Sequence, residues 1–277
     1  MPVTLITGCS SGFGLLTALE FARHGETVIA TMRDPSRGDE LRERAKAEGL
    51  SLDIQPLDIT DDASVRLGVD NALGTHGRID VLVNNAGVGM RGAIEDVADA
   101  QARSVFDSNF FGTLAVIRAV LPSMRSQGSG VIVNVSSIGG RVSSPFAGMY
   151  SASKYALEAV SESLHYELHP FGIRVHVTEP GGYGTRFDDN RLRADESESA
   201  YAEMQAKWDK VYGNVPGRSA EADPNEVAVA IYEAATQPEH PLRRLVGADA
   251  ELIGQLRKDL DDATFEHTIR TALDFWD

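Results

Sequence analysis

Cysteine is almost absent: Cys9 is the only one in 277 residues, which excludes an intramolecular disulfide and points to a reducing compartment such as the cytoplasm. Long apolar runs are missing as well. No uncharged apolar stretch reaches the roughly eighteen residues that a bilayer-crossing helix requires. The opening Met1-Pro2-Val3-Thr4-Leu5-Ile6 has no basic segment ahead of a hydrophobic one, as a secretory signal would. A soluble cytoplasmic protein with no membrane partner is expected. Positive charge is scarce: 26 Lys+Arg against 41 Asp+Glu give a net charge of −15. Such a field repels phosphate backbones, and no local basic patch offsets it, so nucleic acid is not an expected partner. His165 and His169 stand four apart, but H-E-x-x-H needs a glutamate beside the first histidine and Tyr166 is there instead. No metal is expected.

What remains is ordinary for a globular chain: 42% hydrophobic and 24% charged residues, with 26 Gly against 11 Pro favouring many tight turns over low complexity. Short apolar runs at 3–7, 27–31, 52–57, 81–84, 131–135 and 174–178 read as strands, several almost continuously apolar, as burial on both faces requires. Helix-length segments separate them at 13–24, 39–48, 61–76, about 99–125 and 151–169. The alternation favours βαβ units with right-handed crossovers and therefore a parallel sheet with helices on both faces. Residues 181–224 are polar, acidic and turn-rich, longer than a bare connection needs, and form a candidate substrate lid. The acidic run 195–198 reads as solvated. A helix at 224–236, a last short strand at 244–246 and a helical C-terminal extension at 249–277 complete the pattern.

The first strand runs into Thr7-Gly8-Cys9-Ser10-Ser11-Gly12-Phe13-Gly14 and then a helix. Glycines let the backbone turn sharply and approach a pyrophosphate, while the N–H groups of the following helix attract negative charge. A rival exists, since Gly8-Cys9-Ser10-Ser11-Gly12 fits the G-x-S-x-G nucleophile elbow with Ser10 as nucleophile. That hydrolase alternative needs a histidine in reach, and none of the seven has a local signature that marks it as the base.

Further motifs follow in order: Asp58 after the third strand, Asn84-Asn85-Ala86-Gly87 after the fourth, Asn109 in the long helix, Ser136-Ser137 after the fifth, Tyr150-Ser151-Ala152-Ser153-Lys154, and Pro180-Gly181 after the sixth. Together they make the chain resemble the short-chain dehydrogenase/reductase family over roughly residues 3–185. The resemblance implies one Rossmann-type, doubly wound parallel sheet of about seven strands flanked by helices, with 1–277 forming a single dinucleotide-binding oxidoreductase domain. It implies Ser137, Tyr150 and Lys154 as the catalytic trio and Asn109 as a fourth member. It assigns the nicotinamide dinucleotide to Thr7, Gly8, Ser10, Ser11, Gly12, Phe13 and Gly14 of the turn, to Asp58 and Ile59 beside the adenine, and to Asn85, Ala86 and Gly87. Tyr150, Lys154, Pro180, Gly181 and Thr185 complete that set. Homodimers or homotetramers through the long helices are a further implication.

Tyr150 and Lys154 also have a physical case of their own. Four residues apart on a helix, they share a face. Using a phenol of pKa near 10 as a base around pH 7 costs about 4 kcal/mol. An ammonium about 4 Å away supplies energy of that order at an effective dielectric near 20. Ser137, thirteen residues before Tyr150, would hold the substrate oxygen. At the end of the second strand, Met32 stands where NAD-preferring relatives carry an acid, and Arg33 offers a guanidinium fork to a 2′-phosphate. NADP(H) is therefore favoured, with NAD(H) possible because Asp34 lies close to the spacing of an NAD-selective acid.

The expected reaction is hydride transfer to or from an alcohol, ketone or aldehyde. Tyr201, Met204, Trp208 and Val211 recur at helical intervals and could close over an apolar substrate or pack a helix onto its core. Phe146, Met149 and Tyr183 flank the motifs and are candidate pocket walls. A second class, a non-catalytic dinucleotide sensor, predicts binding without turnover and a degraded catalytic set.

Overall fold

Apolar runs too short for helices and rich in β-branched residues become strands when both faces can be covered. A computed structural model of the chain describes residues 1–195, 197, 199–213, 215, 217–219 and 221–275. The elements are β1 (Val3–Thr7), α1 (Gly12–Arg23), β2 (Thr27–Met32), α2 (Asp39–Ala47), β3 (Asp53–Pro56), α3 (Asp62–His76), β4 (Val81–Asn84) and β5 (Met90–Arg91). They continue with α4 (Asp99–Phe106), α5 (Thr113–Gln127), β6 (Gly130–Val135), α6 (Gly148–Leu168), β7 (Ile173–Pro180) and β8 (Leu192–Arg193). The last are α7 (Ala202–Tyr212), α8 (Asn225–Thr236), β9 (Arg243–Val246), α9 (Ala248–Asp259) and α10 (Asp262–Leu273).

Seven strands form one parallel sheet, as expected, and their order is β3-β2-β1-β4-β6-β7-β9. Ile6 pairs with Ala30 on one side and Val83 on the other. The winding reverses between β1 and β4, which opens a crevice beyond the carboxyl ends of those strands. Helices α1, α2 and α8 cover one face through Leu19, Phe21, Leu41 and Ile231. The other face is covered by α3 and α5 through Val65, Val69, Ile117 and Met124. Side-chain hydrogen bonds tie the middle together: Asn84 Nδ2 donates to Asn134 Oδ1 (2.9 Å), and Asn134 Nδ2 donates to Ser161 Oγ (2.9 Å). This buried chain fixes α6 against β4 and β6.

Three expectations change in detail. The long helix is not uniform, because residues 107–112 between α4 and α5 adopt a π-helical turn around Asn109. The whole run Asp99–Gln127 is long and apolar enough to cross a membrane by length and composition. Its apolar positions Val116, Ile117, Val120 and Met124 are instead buried in the protein core. In the 181–224 segment, β8 pairs with β5 and α7 packs through Trp208 onto Phe146, Leu273 and Phe275. Of the acidic run, Asp195 and Ser197 are exposed, whereas Glu196 and Glu198 lie outside the described residues, as do Trp276 and Asp277 of the C-terminal extension.

Ile132 is fully buried at the centre of the sheet. Ile132→Ala is expected to cost about 2–5 kcal/mol, read in urea unfolding as a lower midpoint at unchanged slope.

Candidate active site

At the end of β1 the chain turns through two glycines in the left-handed region, Gly8 (φ +75°) and Gly12 (φ +57°). A side chain on Gly14 would put its Cβ 2.3 Å from the Gly8 carbonyl oxygen and 2.4 Å from Asn85 Nδ2, so close packing demands glycine there. Asn85 staples the turn to β4, with Nδ2 donating to the carbonyls of Thr7 (2.9 Å) and Gly8 (3.2 Å). Thr7 Oγ1 accepts from the backbone N–H groups of Asn85 and Ala86, each at 3.1 Å. Ser11 starts α1 without a side-chain cap, and the first turn has no acidic residue. The N–H groups there are free to face an anion. This cradle fits the pyrophosphate of a dinucleotide.

A cavity of about 660 Å³ begins at this turn. Gly8, Ser10, Ser11, Gly12, Phe13, Asp58, Ile59, Asn85, Ala86, Gly87, Pro180, Gly181 and Thr185 line it, while Thr7 and Gly14 form the back of the turn. Asp58 is held by Thr60, whose N–H and hydroxyl both donate to Oδ1 (2.9 and 2.7 Å). Arg33 lines the cavity, and so does Arg37, which the sequence reading missed. Asp34 does not: it is exposed and accepts from the Ser36 N–H (3.0 Å), and its bonds to Ser36 lower its pKa.

The other end of the cavity holds Ser137, Tyr150 and Lys154, which the fold brings together from the end of β6 and the first turns of α6. Ser137 Oγ accepts from the Gly139 N–H at 3.0 Å and lies 3.4 Å from the Pro180 carbonyl. Burial pushes the Tyr150 phenol up to about 12, and its hydrogen bond with Ser137 offsets part of that rise. Burial pulls the Lys154 amine down to about 8, with the nearby Glu158 acting against it. The Lys154 ammonium does not point at the phenol: Nζ donates to the Val135 carbonyl (2.8 Å) and lies 5.9 Å from the centre of the Tyr150 ring. A buried ammonium must satisfy its hydrogens, and the carbonyl at the end of β6 is in reach. Asn109 lies behind this group. Its Oδ1 accepts from the Val88 N–H (2.8 Å) and its Nδ2 donates to the Val88 carbonyl (2.9 Å) and to Ser153 Oγ (3.0 Å).

Among the expected pocket walls, Phe146, Tyr183 and Trp208 line the cavity. Phe146 does so from the left-handed region (φ +63°), rare for a bulky residue. Tyr183 meets Phe13 edge to face and donates its hydroxyl to Glu226 (3.1 Å). Met149 packs instead with Met90 and Val105. Tyr201 turns its hydroxyl to Glu95 (2.7 Å), and Met204 is exposed. The inward stripe of α7 has Gln205 buried where Met204 was expected, since Tyr201, Gln205, Trp208 and Tyr212 follow the 3.6-residue period one step later. The sequence reading also missed Tyr212 and the apolar side of α9 and α10, where Leu252, Ile253, Leu256 and Ile269 close the cavity. Their only signal was the amphipathic tail. Among the described residues no histidine lines the cavity with Ser10, so the hydrolase alternative finds no histidine base there.

Comparisons with known proteins point to one family. The profile of the short chain dehydrogenase family matches residues 2–196. The chain is 41% identical over 242 residues to the uncharacterized oxidoreductase YusZ of Bacillus subtilis, covering 85% of each. It is 35% identical over 271 residues to human 17-beta-hydroxysteroid dehydrogenase type 1, covering 94% of this chain and 81% of that one. A solved short chain dehydrogenase/reductase from Burkholderia phymatum, in complex with NAD, is similar at a TM-score of 0.80 and 26% identity, over 93% of this chain and 92% of the other.

The buried ammonium yields a measurable consequence. Lysine side-chain NMR should show one amine titrating near pH 8 that disappears in Lys154→Met, and an ordinary lysine midpoint there would contradict it. Because the folded value lies below the unfolded one of about 10.4, this group's unfavourable contribution is present in full below pH 8 and is relieved as pH rises toward 10.4.

Proposed function

The chain belongs to the short chain dehydrogenase family and is an oxidoreductase, and from that premise we propose that it interconverts an apolar alcohol and the matching ketone or aldehyde with NADP(H). The observation that carries this reading is the two-ended cavity, a pyrophosphate cradle at one end and Ser137, Tyr150 and Lys154 at the other. A bound nicotinamide dinucleotide supplies or accepts the hydride. Ser137 holds the substrate oxygen by a hydrogen bond, and Tyr150 gives that oxygen a proton in reduction and takes it back in oxidation. Lys154 would hold the nicotinamide ribose and, as ammonium, would lower the cost of the phenolate. Asn109 anchors a water that carries protons outward from Lys154.

Arg33 and Arg37 on the cavity wall support NADP over NAD, as does Asp34, which is committed to its own turn. Phe146, Trp208 and the apolar residues of α9 and α10 favour a bulky lipophilic substrate, in line with the hydroxysteroid dehydrogenase relative. Exposed Phe111 and Tyr166, beside α5 and on α6, suit a homodimer or homotetramer built through those helices. Lone, buried Cys9 accords with a cytoplasmic site of action.

A panel of alcohols and carbonyls followed by nicotinamide absorbance tests the reaction. Tyr150→Phe should lower turnover about 100-fold to 10,000-fold, and an unaffected variant would remove Tyr150 from the chemistry. Replacing Arg33 and Arg37 by Ala should raise KM for NADP roughly 10-fold or more while sparing NAD. A wild-type preference for NAD would instead make Asp34 the selector.

A further inference from the structure

The proposed reaction leaves one positive charge in the cavity unused. Besides Arg33 and Arg37, three arginines line it: Arg91 of β5, Arg191 just before β8, and Arg218 from the segment between α7 and α8. Arg91 is buried and ion-paired with Asp209, and Arg191 is ion-paired with Asp188. Among the described residues Arg218 has no carboxylate partner and no side-chain hydrogen bond. Its neighbour Gly217 packs against Ala248 and Asp249. That carboxylate is committed elsewhere, with Oδ2 accepting from the Gly182 N–H (2.8 Å) and Oδ1 from the Ala250 N–H (2.8 Å).

The place of the Arg218 guanidinium is nevertheless built. Its Cζ lies 4.3 Å from the centre of the Tyr212 ring, where cation–π attraction holds it without cancelling its charge. A Cβ on Gly182 would fall 2.1 Å from Nη1 and 2.4 Å from Cζ, so the glycine leaves the room that the guanidinium fills. Five N–H donors in a planar fork remain for an acceptor, and carboxylate, sulfate or phosphate fits that fork with two parallel hydrogen bonds. A chain of net charge −15 offers an anion no help from its overall field, so selection for one has to come from a local cation.

We infer that Arg218 receives an anionic group carried by the substrate, which makes that substrate an amphiphile, with its apolar body against Trp208, Leu256, Ile269 and Leu273 of the same cavity. Assigning the anion to the substrate rests on the proposed reaction. The phosphates of the dinucleotide have their own cradle at the start of α1, and their use of Arg218 is the outcome to be separated.

Calorimetry on the full chain with NADPH present compares two probes of equal length, decanoate and 1-decanol, neither of which NADPH can reduce. Decanoate should bind about 10-fold or more tighter. Arg218→Gln should abolish that preference and Arg218→Lys should restore part of it. Equal affinities in wild type, no binding of decanoate, or a preference that survives Arg218→Gln overturns the inference. If Arg218→Gln instead weakens NADPH binding and leaves the decanoate preference, the charge serves the dinucleotide and the inference falls. These arms involve no turnover, so a chain inactive on every alcohol and carbonyl would sink the proposed reaction while the anion preference stayed measurable.

Discussion

Parallel pairing of β1 with β4 is the constraint on which the rest depends. It makes the crossovers leave in opposite directions and parts the helices above those two strand ends. The gap is then held by short-range chemistry. Asn85 on the β4 side ties down the carbonyls of Thr7 and Gly8 on the β1 side, so the cradle for negative charge cannot drift from the sheet. Two strands further along, the ends of β6 and β7 supply Ser137 and Pro180, and the Asn84–Asn134–Ser161 chain holds α6 in register with them. The distance between the two ends of the cavity is therefore set by strand spacing rather than by loops.

Burial governs the chemistry at the far end. The same desolvation that favours a protonated phenol at Tyr150 favours a neutral amine at Lys154, so both groups are drawn away from charge. Only local partners restore it: Ser137 for the phenol, the Val135 carbonyl and Glu158 for the amine. Neither set of partners cancels the burial, so the phenol stays above its ordinary value and the amine below its own.

What the sequence made legible was local. Glycines at the β1 turn, the four-residue offset of Tyr150 and Lys154, and continuous apolar runs such as 131–135 each carry their geometry within a few residues. Arg37 was hidden because it reaches the cavity only through the tight turn that Asp34 and Pro35 create. Met204 was expected inward because hydrophobicity pointed there, but the phase of α7 is set by Trp208 packing on Phe146 and Leu273, and that phase buries Gln205. The π-helical turn at Asn109 leaves no trace in hydrophobic periodicity. Contacts of α9 and α10 with the cavity join residues more than a hundred positions from Tyr150, which no local pattern encodes.

Phe146 couples two properties that are usually separable. Its backbone sits where a residue with a β-carbon is uncomfortable, held by the hydrogen bond its carbonyl accepts from the Gly92 N–H, and its ring is part of the cavity wall. A glycine there would relax the chain and at the same stroke remove the ring. Backbone ease and a filled cavity wall are therefore opposed at this single position.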